Sequence, residues 1–99
     1  MKWSVHQPKR PGLPLVVNCQ SDLLDQLPTR LVIPLERVEA VERPIRRLNP
    51  RVEVGGTAYY VMVDLMASVP ARSLGPVIGS LEGDGTAISN AIDILFIGV

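Results

Sequence analysis

Short apolar runs separated by proline and glycine fill most of this chain, and only the last segment changes rhythm. Segments that short favour strands over helices. Trp3–Gln7 alternates weakly and predicts a first strand, followed by a stiff loop carrying Pro8, Pro11, Gly12 and Pro14. Leu15–Cys19, rich in branched side chains, predicts a second strand. Gln20–Asp25 interrupts with short polar residues, and Thr29–Leu35 predicts a third strand. Pro34 near its end argues for an edge or a bulge there, since proline has no amide to give a ladder. Glu36–Leu48 stays unassigned, because Arg43–Pro44 breaks any helix begun at Glu36. Arg51–Val54 and Thr57–Val63 flank Gly55–Gly56, a hairpin signal, since a tight turn needs positive φ at its centre. Met66–Val69 reads as a short strand closed by Pro70. Ala71–Leu81, with Gly75–Pro76 and Gly79, reads as loop or broken turns.

From Ala87 to Val99 the apolar spacing fits 3.6 residues per turn, with Asp84 or Thr86 as the expected cap. At 100° per residue, Ile88, Ala91, Ile92, Leu95 and Val99 share one face, the expected core stripe. Thr86, Asn90, Asp93 and Ile97 share the opposite face, with Ile94 at the border beside Ala87. Ile97 therefore falls on the polar side. Two readings fit it. Single exposed apolar residues are common, and leaving one isoleucine wet forgoes only about 1.5–3 kcal/mol. A cluster of them at one end of a helix also fits a partner-binding patch.

The chain has 99 residues, 46% of them hydrophobic and 4% aromatic. That predicts one domain, 1–99, with a core of Val, Leu and Ile. The formal net charge is zero, so the basic excess expected of a phosphate-binding protein is missing. The charge is unevenly split, however. Residues 1–51 hold nine Lys/Arg against five Asp/Glu, net +4, and residues 52–99 hold one against five, net −4. Either the two halves attract each other, or Arg43, Arg46, Arg47 and Arg51 form a patch for an acidic partner.

Cys19 is the single cysteine and sits in an apolar run, so it reads as a small buried hydrophobe. No stretch suits a signal peptide or a membrane span, which leaves the cytoplasm as the expected location. His6 is the single histidine, and no nucleophile motif surrounds any serine. The clustered ligands of a metal site are missing from the sequence, and the glycine pairs lack phosphate-loop spacing. The expectation is a protein that binds another protein, without catalysis or cofactor.

Four blocks of the sequence resemble the CcdB family of toxins. They are Val17–Asp25, Thr29–Leu35, Asp64–Pro70 and Ile88–Val99, in family order and spacing over nearly the whole chain. The resemblance implies a mainly β fold, an SH3-like antiparallel barrel with a small hairpin extension and one carboxyl-terminal helix. It implies a homodimer that binds the A subunit of DNA gyrase and traps the cleaved-DNA complex, with no cofactor. A cognate CcdA-like antitoxin would neutralise it. Carried over by motif, Leu23 and Leu24 match a paired aliphatic position in a gyrase-contacting loop. Asp93, Ile94, Phe96, Ile97, Gly98 and Val99 match the contacting end of the helix. Met66 and Leu95 are the expected dimer contacts. Two positions depart from the family. Asp93 stands where Asn is frequent, and Ile97 stands where the best-known members have Trp, which can stack on a gyrase arginine for about 0.5–2 kcal/mol.

Two rivals follow from the same blocks. Related folds host endoribonuclease toxins, which need acid–base residues and a positive groove for RNA. A relative that keeps antitoxin binding without toxicity is the other.

Overall fold

The computed structural model describes residues 1–98. Seven strands form one curled antiparallel sheet: β1 (Ser4–Pro8), β2 (Val16–Asn18), β3 (Thr29–Arg37), β4 (Arg51–Val54), β5 (Thr57–Val61), β6 (Ala67–Pro70) and β7 (Leu74–Ser80). Their order is β4-β5-β3-β2-β1-β7, with β6 pairing β3 off that path. One α-helix, α1 (Gly85–Ile97), ends the described chain. The two ends of the sheet curl toward each other, since a β-carbon placed on Gly79 of β7 would touch Val54 of β4 at 3.4 Å. This is the mainly β, SH3-like barrel with one helix that the resemblance implies, and β4–β5 is its hairpin extension.

The core is aliphatic, as the composition requires. Val5, Val17, Ile33, Leu35, Val61, Val63, Leu81 and Ile88 are almost fully buried in one cluster. The Gly55–Gly56 hairpin forms as expected, with φ of +57° and +82° at the two glycines and Val54 opposite Thr57. Two positive angles in succession are what a twisted two-residue turn needs.

Pro34 does not mark an edge or a bulge. Strand β3 is central: one side pairs β2 across Val32–Pro34, and the other pairs β6 as far as Val32 and β5 from Leu35 onward. The Leu35 amide bonds Leu15 on the β2 side, so the Pro34 nitrogen faces the junction between β6 and β5. No ladder bond is lost there, and proline fits a central strand at the point where it changes partners.

Ala71–Leu81 is not loop. A 3-10 turn over Ala71–Ser73 leads into the seven-residue strand β7 on the outer side of β1. Gly75 permits it, because a β-carbon there would collide with the Gln7 carbonyl oxygen. The punctuation that suggests turns is here a close backbone approach on an edge strand, where Pro76 is also tolerated.

In the unassigned stretch, Glu36 and Arg37 finish β3 and Val38–Ala40 is a 3-10 turn. The rest returns through a turn closed by Leu48 and Asn49 amides on the Ile45 carbonyl. Asn49, 4% exposed, holds this turn. Its Oδ1 accepts from the Ile45 amide at 2.8 Å, and its Nδ2 donates to Val61 carbonyl and Asp64 Oδ1 at 3.4 and 3.2 Å. Among the described residues the two charge halves do not join through ion pairs. Among the described residues the one pair within 4.0 Å is the amino terminus with Asp22.

Candidate functional site

Helix α1 begins under Trp3, whose indole Nε1 would lie 2.8 Å from a β-carbon on Gly85. Trp3 is held in the left-handed region at φ +71° by backbone bonds to Asn18 and Leu81. Asp84 is the capping residue, but its side chain makes no capping bond, and Thr86 lies inside the helix. Packing against Trp3 and the core anchors this end in place of a side-chain cap.

The core-facing stripe holds only for the first half of the helix. Gly85, Ile88 and Ala91 are buried, and Ile92 is partly buried against the core. Leu95, expected in the stripe, is exposed at 37%. Its neighbours Phe96 and Ile97 are exposed at 68% each. Phe96 and Ile97 therefore stand clear of the sheet, while Leu95 and Ile94 in the same turn stay partly covered. Gly98 then closes the helix at φ +75°, its amide bonding Ile94 carbonyl at 2.9 Å. A left-handed residue at a helix end favours glycine.

An apolar tip results. Keeping Phe96 and Ile97 in water forgoes roughly 1.5–3 kcal/mol each, and they adjoin Leu95 and the half-buried Ile94. Contiguous apolar exposure of this kind is what a partner-binding patch requires. Asp93 is exposed on the same helix. Val99, also expected at the contact, lies outside the described residues.

Leu23 and Leu24 sit on a different element, a 3-10 turn over Asp22–Leu24. Leu23 is the more prominent, at 86% exposed, and Leu24 and Leu27 are partly exposed. The turn is held rigidly. The Ser21 hydroxyl accepts from the Leu23 amide, and Asp22 Oδ1 accepts from the Lys2 amide at 2.8 Å. Gln20 donates to Leu24 and Thr29 carbonyls while accepting from the Leu31 amide. The Arg30 guanidinium bonds the carbonyls of Asp25, Leu27 and Thr29 from 2.7 to 3.0 Å. Leu27, Gln20 and Arg30 carried no local signal in the sequence. Their roles come from bonds that span one to eleven residues around the turn and depend on how it folds. The turn's polar anchors run to the amino terminus and β3, separately from the helix.

Met66, an expected dimer contact, is half-buried and packs against the core of its own chain. A more open apolar groove lies nearby, about 340 Å³, between Leu13, Pro14, Val16, Val32, Leu65 and Val69.

The single histidine and the single cysteine both have structural placements. His6 Nδ1 donates to the Gly75 carbonyl at 2.9 Å, and its Nε2 lies 2.8 Å from Ser4 Oγ, which donates to the Met1 carbonyl. The single histidine thus ties β1 to β7. Burial pushes the Cys19 thiol up to about 11, against partial relief from its backbone hydrogen bond and Lys2. No group of three His, Cys, Asp or Glu among the described residues is placed to hold a metal. No helix there is long and apolar enough to cross a membrane.

Residues 2–98 match the family model described as CcdB protein. Among solved structures, the chain is similar to an endoribonuclease in complex with its cognate antitoxin from mycobacterial species. The TM-score is 0.81 at 13% identity, over 97% of this chain and 93% of that one. At that identity the likeness establishes a shared fold.

Proposed function

Because the chain belongs to the CcdB protein family, we propose that it is the toxin of a toxin–antitoxin pair, one that binds the A subunit of DNA gyrase and traps the cleaved-DNA complex. The observation that carries this reading is the apolar tip of α1, with Phe96 and Ile97 bare and Leu95 partly exposed beside them, on a helix rooted in the core by Ile88 and Ala91. Leu23 and Leu24 supply a second, rigid apolar contact. Binding needs no catalytic group, and the reading assigns none: the toxin acts by occupying a surface, with no cofactor. A homodimer would present two such tips, and a cognate antitoxin would cover apolar surface on the same molecule.

Ile97 replaces the stacking contact that a Trp makes with a branched aliphatic one. Burying it on a partner still supplies roughly 1.5–3 kcal/mol. The deciding experiment mixes the purified protein with gyrase, DNA and ATP. Accumulation of linear, cleaved DNA is the expected result, and background cleavage by folded, dimeric protein would refute it.

One specific observation favours a ribonuclease reading, namely the fold shared with an endoribonuclease toxin. Against it, His6 is engaged by Ser4 and Gly75. Sequence-specific cuts in a mixed RNA pool would decide for that rival.

A further inference from the structure

The turn held by Asn49 brings Arg47 to the side of α1. Arg47, Asn90, Asp93 and Ile94 line one cleft of about 380 Å³, a few residues before the apolar tip. Arg47 is exposed and, among the described residues, has no hydrogen bond or ion pair from its guanidinium. Asp93 is likewise exposed, beyond 4.0 Å from any cation there. A cation and an anion thus share one cleft without meeting. Arg30 shows the contrast, since all its bonding capacity in this fold goes to carbonyls of its own loop.

We infer that Arg47 and Asp93 form a polarised socket that sets the register of the partner docked on the helix tip, Arg47 receiving a carboxylate and Asp93 a cationic or amide donor. This rests on the reading of α1 as the gyrase-binding surface. Three features support it. The turn carrying Arg47 is fixed in advance by a buried asparagine, which lowers the ordering cost of binding. The planar guanidinium matches a carboxylate in two-point geometry. The socket adjoins the apolar tip, as polar rims adjoin apolar centres in protein interfaces. Ile94, half-buried in the same cleft, joins the two.

The socket separates cleanly from a mere internal ion pair. Binding of the purified gyrase A subunit is measured for the wild-type chain, R47E, R47K, D93K and the exchanged variant R47D/D93R, with thermal melting as the folding control. A lost charge-assisted contact weakens binding by about tenfold or more, so R47E and D93K should each show that loss. R47K should fall between the wild type and R47E, because the charge remains while the two-point geometry is lost. The exchanged variant should stay weak, because its polarity now opposes the partner's.

Wild-type binding of R47E would overturn the inference. So would restoration of affinity by the exchange, which is what two residues serving only each other would give. A wild-type chain that fails to bind the A subunit would refute the gyrase reading and the socket together.

Discussion

Trp3 lies over Gly85 so closely that a β-carbon on the glycine would fall 2.8 Å from indole Nε1 and 3.1 Å from Cε2. The first turn of the helix is thereby seated on a residue more than eighty positions earlier. Gly85→Ala sets two effects against each other. Alanine favours a helix by up to about 1 kcal/mol over glycine, whereas overpacking against a held ring costs about 1–3 kcal/mol. The main chain of Trp3 is pinned by the Asn18 carbonyl and the Leu81 amide, so the ring can yield only by turning about its own side-chain torsions. A lower melting temperature and an altered tryptophan emission are expected. A higher melting temperature would mean that the indole swings away.

At the other end of the same helix, Ile97→Asp should leave the fold alone. The side chain is 68% exposed, and substitutions at such positions usually stay within about 0.5 kcal/mol. Cleavage-complex formation should vanish, since a carboxylate would have to be desolvated against the partner. Melting curves and a gyrase cleavage assay on the same preparation check both halves. A melting temperature that drops by many degrees would place Ile97 in the core.

Asn49→Ala should be costly for a single polar residue. It strands the Val61 carbonyl in the core, where a buried group left without a partner costs about 1–3 kcal/mol, and it frees the part-buried Ile45 amide. Chemical denaturation should show the loss. Hydrogen exchange should show the Pro44–Leu48 turn opening first. Equal protection of that turn in both proteins would remove Asn49 from this role.

Cys19 predicts an alkaline limit. Burial raises its thiol from the ordinary 9.0 to about 11, so the unfolded chain loses this proton before the folded one does. Stability is whole below pH 9 and falls between about pH 9 and 11, by on the order of 2 kcal/mol. Cys19→Ala should flatten that part of the curve in denaturation experiments from pH 8 to 11. Alkylation by iodoacetamide near neutral pH should be slow. Rapid labelling of the folded protein would contradict the buried placement.

What was legible in the sequence was local. The Gly55–Gly56 hairpin needs only its two positive angles, and the helix shows itself by its period. Strand β7 was hidden, because Gly75 looks like turn punctuation until Gln7 is known to press on it. Asn49 and Trp3 gave no signal for the same reason, since Val61 and Asp64 for the one and Gly85 for the other lie twelve or more positions away. For the site, the sequence located Phe96 and Ile97 at the exposed end, but it placed Leu95 against the core. Periodicity assigns a face and has no knowledge of where the underlying sheet stops. Arg47 was visible only as one charge in a basic run, and its neighbour Asp93 lies forty-six positions on.

Strand β3 binds β2 along one side and both β6 and β5 along the other, changing hands at Pro34. That single ribbon is therefore the splice between the two portions of the sheet, and neither portion can lose it and keep its pairing. Loosening there would spread to both at once, so the molecule should come apart as a unit, carrying its helix with it, instead of shedding one portion while the other keeps a working surface.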